Sequence, residues 1–161
     1  MYSRQKAIEY AYTWWNKRNP NFFNFDELGG DCTNFVSQCL FYGGIKMNYT
    51  NLGWFYKSLN YRSPSWTGVD EFFNFSVNNK SDFGVRCLLC NFNEVEIGDI
   101  VQLQLNQESG FHHTALITKI EGEKNHQNIF ITCHSYDAKD KSLISYNYKQ
   151  IRFLKVLNWK L

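Results

Sequence analysis

The residue pattern changes character near position 95, and this change constrains the fold more than any other feature. Before it, apolar residues recur at helical spacing in two segments. After it, short runs rich in Val, Ile, Leu and Thr alternate with polar turns. Helices followed by such strands are typical of proteins in which helices pack on one antiparallel sheet. We therefore expect an α+β fold, with N-terminal helices packed on an antiparallel β-sheet.

Two helices are predicted in the first third of the chain. The first covers Ser3 to Lys17, where alanine and aromatic residues repeat at helical spacing. The second begins after Gly29-Gly30 with Asp31 as its N-cap, and it ends at Gly43-Gly44. The following segment is irregular and rich in aromatic residues, with one short helix expected near Asp70 to Val77.

Four strands are predicted in the second half of the chain. They are Asp99 to Leu105, Thr114 to Ile120, Ile129 to His134 and Ile151 to Leu157. A chain of 161 residues suits one hydrophobic core, so a single domain over residues 1–161 is expected. Aromatic residues make up 18% of the chain, and this supply of apolar surface argues against disorder.

The charge pattern and the N-terminus exclude several classes of partner. The formal net charge is only +2 and the cations are scattered, so no nucleic acid partner is expected. No apolar run is long enough to span a membrane, and the N-terminus lacks the cleavage site of a secretory signal. A cytoplasmic protein is expected, or a cell-wall or extracellular one if the chain is a fragment or is released by another route.

Cys32 is the strongest candidate for a nucleophile, because it lies in the first turn of the second predicted helix. Unpaired N–H groups and the positive end of the helix dipole favour a thiolate there, with a pKa lowered from about 8.5 to about 3.5–7.5. The same N–H groups could hold an oxyanion. Asp31, Asn34 and Gln38 are candidates for orienting a substrate or the oxyanion, although Asp31 serves equally well as a cap alone. The alternative is a buried cysteine on an amphipathic helix.

A cysteine nucleophile needs a base from elsewhere in the fold, and histidines are the natural candidates. His112 and His113 stand at the entrance of one predicted strand, and His134 ends the next. If the two strands are neighbours in a hairpin, His113 and His134 are expected to share one face and one end of the sheet. Together with Cys32 they would supply what a Cys/His/polar triad requires.

Several segments together resemble the putative amidase domain family, which is related to the NlpC/P60 and CHAP groups of papain-like enzymes. The resemblance covers nearly the whole chain, and the run DCTNFVSQ is distinctive by itself. The segments that carry it are Gly30 to Gln38, Ser65-Trp66-Thr67, Gly98-Asp99-Ile100, His113 to Thr118 and His134 to Asp137.

The resemblance implies a papain-like fold and hydrolysis of an amide bond through a thioester, often in peptidoglycan peptides in the related groups. Residue by residue, Cys32 matches the nucleophile, His113 the base and His134 the third polar residue. The implied partner is a peptide or amide substrate, with a cell-wall peptide as one candidate, and neither a cofactor nor a metal is expected. Asp137 competes for the third position, because a carboxylate stabilises an imidazolium better than a neutral side chain does.

Three alternatives remain open. The same acyl-enzyme could be resolved by an amine or alcohol, which would make the protein an acyltransferase. A binding module would keep the groove without the reactive thiol. Cys87 and Cys90 have metal-ligand spacing, but no second pair follows, so two core thiols or a labile disulfide are favoured over a metal-binding interaction domain.

Overall fold

Four α-helices precede the main sheet in the computed structural model, which describes residues 1–157. They are α1 (Arg4–Trp14), α2 (Cys32–Tyr42), α3 (Pro64–Thr67) and α4 (Val69–Asn78). The last four residues of the expected domain lie outside the described residues. Along the described part of the chain, no helix is long and apolar enough to cross a bilayer.

Two short strands, β1 (Tyr56–Ser58) and β2 (Tyr61–Arg62), form a hairpin between the helices. Six further strands form one antiparallel sheet in the order β3-β8-β4-β5-β6-β7. They are β3 (Cys87–Cys90), β4 (Ile100–Leu105), β5 (His113–Ile120), β6 (Ile129–Cys133), β7 (Ala138–Ser142) and β8 (Tyr148–Val156). The α+β class with an antiparallel sheet is thereby confirmed.

The predicted strands correspond to β4, β5, β6 and β8, whereas the two edge strands β3 and β7 were not predicted. The sequence of β7, AKDKS, is almost wholly polar, and charged residues are common on strands that form an exposed sheet edge. A polar strand of this kind carries no hydrophobic alternation, so its strand character depends on pairing with β6.

The sheet has a separate core on each face, and alternation along the strands decides which core a residue enters. Ile100 and Leu116 pack with residues of α1 and α2 in the first core. Val101 and Ala115, their direct neighbours in sequence, pack in the second core on the opposite face. Helix α2 is buried from Cys32 through Leu40, so it lies inside the molecule and its first residue is held firmly against the sheet.

The Gly98-Asp99 motif attaches the N-terminal helix to the sheet. The guanidinium of Arg4 donates to Asp99 Oδ1 at 2.6 Å, and the backbone N–H of Val156 donates to the same oxygen at 2.9 Å. Burial raises the pKa of the Asp99 carboxyl, and the contact with Arg4 opposes that rise. The motif therefore has a structural role, because it fixes the position of α1, against which α2 packs.

Candidate active site

An open cavity of about 630 Å³ lies where α2 begins and β5 enters the sheet. Cys32 and His113 both line it, although they lie far apart in the sequence. The remaining walls come from the loop before α2, the loop before β5, the turn between β6 and β7, and Tyr146. The structure therefore brings the predicted nucleophile and the predicted base to one accessible space.

Cys32 is the first residue of α2, and its sulfur lies against the entrance of β5. Cys32 Sγ donates to the His112 carbonyl at 3.8 Å, and it lies 3.8 Å from the hydroxyl of Thr33. The Thr33 hydroxyl bonds in turn to that of Thr114 at 2.9 Å, which ties the start of α2 to β5. These contacts fix the thiol beside the strand that carries His113.

The expectation that the helix N-terminus lowers the pKa of Cys32 is wrong for this fold. Only 6% of the residue is exposed, and burial raises the pKa of its thiol. The N–H of Thr114 and the hydroxyl of Thr33 oppose that rise without overcoming it. A buried thiolate loses more hydration than these few donors replace, so the resting group is a thiol.

His113 is the first residue of β5, and its ring stacks on Tyr146 with centroids 6.2 Å apart. Burial lowers the pKa of its imidazole to about 4, and nearby His112 and Lys141 lower it further in the same direction. The ring is therefore neutral at neutral pH and free to accept a proton. Its Nε2 is buried and has no hydrogen-bond partner in the described structure, which is uncommon for a buried nitrogen.

His134 lies directly after β6 and has both ring nitrogens engaged. Nδ1 contacts Asp31 Oδ2 at 2.6 Å, and Nε2 contacts the Trp14 carbonyl at 2.7 Å. The ring also stacks on Phe35, with centroids 3.9 Å apart. A carboxylate and a carbonyl are both hydrogen-bond acceptors, so each of them occupies one ring nitrogen of His134. In this arrangement His134 pairs with Asp31 and offers no acceptor to His113.

The expectation that His113 and His134 share a face of the sheet is wrong. Strands β5 and β6 are hairpin neighbours, which is the condition on which that expectation was based, but Leu116 pairs with Thr132. His113 lies three residues from Leu116, whereas His134 lies two residues from Thr132, so the two histidines belong to opposite faces. Accordingly, His113 pairs with Leu103 of the second core, while His134 stacks on a residue of the first.

Asp137, the competing candidate for the third position, is also engaged elsewhere. Its carboxylate oxygens accept from Arg18 at 2.9 and 3.0 Å, and the same guanidinium holds Asp26. Within residues 1–157 no hydrogen bond joins His134 or Asp137 to His113. Which side chain orients the base therefore stays a prediction for both candidates.

Asp31 occupies the N-cap position of α2, but its side chain makes no capping hydrogen bond. Instead, Oδ1 accepts from the Phe25 N–H and from Asn34 Nδ2, each at 2.9 Å, while Oδ2 faces His134. The carboxylate thus joins the loop before the helix to the helix itself. Because Asp31 directly precedes Cys32 in the sequence, these bonds also fix the position of the thiol.

Asn34 and Gln38 are buried in the helix and do not line the cavity. Trp66 Nε1 donates to Asn34 Oδ1 at 2.9 Å, and the Tyr10 hydroxyl donates to Gln38 Oε1 at 2.7 Å. These bonds fasten α2 to α3 and α1, which explains the Trp66 motif in structural terms. With Asp31 also absent from the cavity wall, any influence of the three on a substrate acts through the position of Cys32.

Cys87 and Cys90 lie in β3 and are free thiols. They are three positions apart on a strand, so their side chains leave on opposite faces. Cys87 is buried and Cys90 is partly exposed. Between residues 1 and 157, no group of three or more His, Cys, Asp or Glu side chains could hold a metal ion.

Two tyrosines in the cavity wall were not predicted. Tyr146 stacks on His113, and Tyr136 stands at the rim. No sequence signal separates either one from the other eight tyrosines of the chain, because each acquires its place from a turn between strands.

A pair of substitutions separates the structural role of His134 from a catalytic one. His134→Ala leaves the buried Asp31 carboxylate without its nearest partner, so we expect unfolding to become easier by about 3 kcal/mol. Asp137→Ala removes a partly exposed ion pair, and its expected cost is below about 1 kcal/mol. Urea denaturation measures both. If turnover per folded molecule collapses only in Asp137→Ala, Asp137 is the third member of the triad.

Comparison with known proteins shows the family to which the chain belongs. A family model described as a putative amidase domain matches residues 1–156. The chain is 31% identical over 142 residues to the uncharacterized protein YhbB of Bacillus subtilis (strain 168). That match covers 86% of this chain but 43% of YhbB, so the chain spans less than half the length of that relative. No solved structure matches the chain.

Proposed function

The chain belongs to the putative amidase domain family, and on that basis we propose that it hydrolyses amide bonds with Cys32 as nucleophile and His113 as base. The observation that carries the proposal is the shared cavity, which a thiol at the start of a buried helix and a neutral imidazole at the start of a strand both line. A helix-borne cysteine beside a sheet-borne histidine is the arrangement expected of papain-like enzymes, and it supports our proposal that the chain is related to the NlpC/P60 and CHAP groups.

The reaction follows from the resting protonation states. Neutral His113 accepts the proton of the Cys32 thiol as the sulfur attacks the substrate carbonyl. The N–H groups at the start of α2 stabilise the resulting oxyanion. The imidazolium then protonates the leaving amine, and a thioester remains. Water attacks the thioester with His113 again as base, which releases the acid and restores the thiol.

The open cavity favours water as the second nucleophile over an acyl acceptor. Gln107, Glu108 and Tyr136 line the cavity and are solvent-exposed, so water can reach a thioester on Cys32. An acyltransferase would need to exclude water from the same sulfur. A binding module would have no need of a thiol and a neutral imidazole on one wall. The substrate class is a peptide or other amide, with cell-wall stem peptides as the first candidates to assay.

The direct test is incubation with peptidoglycan fragments and with blocked peptide amides, followed by mass analysis of the products. We expect products that have gained one water, and they should form equally well with EDTA present and absent. The control variant Cys32→Ala should form none. Adding a primary amine tests transfer, since an acyltransferase would give amine adducts in place of the acid. Turnover by Cys32→Ala, or loss of turnover with EDTA, would contradict the cysteine mechanism.

Alkylation of Cys32 by iodoacetamide should accelerate steadily from about pH 7 to pH 9. The reason is that burial raises the thiol pKa, so the reactive thiolate is scarce at neutral pH. Peptide mapping of the adduct as a function of pH measures the rate at this site separately from that at Cys90. A rate that is already at its plateau near pH 6 would instead indicate a preformed thiolate–imidazolium pair.

A further inference from the structure

The turn between β6 and β7 has an unusual sequence for its backbone shape. Ser135 and Tyr136 have φ angles of 55° and 66°, so both central residues of the turn from 134 to 137 are left-handed. Two-residue hairpin turns with this property are normally built from Asn-Gly, because glycine and asparagine tolerate positive φ. A bulky aromatic residue in this region is strained, and strain of this kind is concentrated at functional sites.

The other three residues of the turn fasten it to the start of α2 and its neighbours. His134 binds Asp31, and the Ser135 hydroxyl accepts from the Asp31 N–H at 2.9 Å. Asp137 pairs with Arg18 at 2.9 Å. Tyr136 is different, because 89% of it is exposed and it is one of the residues that line the cavity. The turn is therefore rigid, yet it presents its strained residue to solvent beside Cys32.

Stability of the fold gives no reason for a tyrosine at this position. An exposed side chain buries almost no apolar surface, so it cannot offset its own backbone strain. Leu105 and Tyr146 supply further apolar surface on the same cavity wall. Glu108 also lines the cavity and disfavours an acidic group there. A neutral, apolar part of a ligand is what these surfaces fit.

We propose that Tyr136 is a specificity-determining residue whose ring packs against a large apolar side chain next to the scissile amide of a peptide substrate. The identity of the ligand as a peptide rests on the proposed amidase function. The bonds of His134 and Ser135 to Asp31 hold the backbone of the turn before the substrate arrives, so the segment that carries the ring needs no ordering on binding.

Binding to the inactive Cys32→Ala protein tests the proposal without dependence on the chemistry. The probes are acetyl-glycyl-leucyl-glycinamide and acetyl-triglycine amide, and calorimetry gives their Kd values. We expect the leucyl peptide to bind about tenfold more tightly, which corresponds to contact with one aromatic ring. Adding Tyr136→Gly should abolish that preference, whereas Tyr136→Phe should keep it. Leu52→Ala, which removes an exposed apolar side chain outside the cavity, is the matched control and should change neither Kd.

A thermal scan distinguishes a binding role from a structural one. Tyr136→Gly relieves backbone strain and removes no packing, so its Tm should equal that of the parent or exceed it by up to about 3 °C. A clear fall in Tm, or an unchanged preference for the leucyl peptide, would overturn the proposal, as would failure of the leucyl peptide to bind. Selective binding without hydrolysis by the wild type would refute the amidase function and leave the role of Tyr136 intact. Hydrolysis without a preference for the leucyl peptide would support the amidase function and refute the role of Tyr136.

Discussion

Cys32→Ala is expected to abolish turnover while leaving the fold essentially unchanged. Removal of a catalytic nucleophile costs on the order of 10⁶-fold in kcat when the rest of the site cannot replace it. The residue is small, and the contacts of its sulfur with Thr33 and the His112 carbonyl are weak ones of 3.8 Å, so the expected loss of stability is about 1 kcal/mol or less. Product formation from a blocked peptide and a urea denaturation curve measure the two effects.

Cys90→Ala is the matched control, since it removes a partly exposed thiol from a strand outside the cavity. It should retain full turnover. The same comparison applies to wild-type protein treated with iodoacetamide, in which loss of activity should follow the adduct at Cys32 and not the adduct at Cys90. Turnover that survives in Cys32→Ala would remove the basis of the mechanism, whatever the control shows.

His113→Ala is expected to lower kcat by about 10²–10⁴-fold, which is the usual contribution of a positioned base. His112→Ala is the control, because that ring lies in the same cavity and its Nδ1 contacts the Gly110 carbonyl at 3.3 Å. Its turnover should stay within a few-fold of wild type. If His112→Ala is inactive and His113→Ala is active, the base is the other member of the pair.

The pH dependence provides a second readout for His113. Its pKa is lowered to about 4, so the neutral base persists to about pH 5 and kcat/KM should fall only below that. The free energy of unfolding is also expected to fall as the pH is lowered. A histidine whose folded pKa lies below its unfolded value of 6.5 contributes stability above pH 6.5, and that contribution is lost as the pH falls through about 4. His113→Gln should therefore flatten the loss of stability between these pH values.

Much of the fold follows from local pattern. The order of helices and strands, the start of α2 at Cys32 and the start of β5 beside His113 all depend on residues close together in sequence. Alternation along its strand predicts that Cys133 points to the face opposite His134, and it is fully buried in the second core. The edge strand β7 was missed because its polar residues become a strand only through pairing with β6.

The placement of His134 shows where local pattern is insufficient. Alternation states which residues of one strand share a face, but it does not relate the faces of two strands. That relation depends on the register between β5 and β6, which the whole sheet and its packed helices set. A shift of one residue in this register would have brought His134 to the face of His113.

The sequence by itself determined the α+β class, the candidate nucleophile and the candidate base, because helix starts, strand starts and residue chemistry are local properties. Only the tertiary structure decided that burial raises the pKa of the Cys32 thiol, that His134 pairs with Asp31, and that Tyr136 lines the cavity. Burial, strand register and turn geometry bring together residues that are distant in the chain. Each of these three outcomes depends on such contacts, which no short segment of the sequence contains.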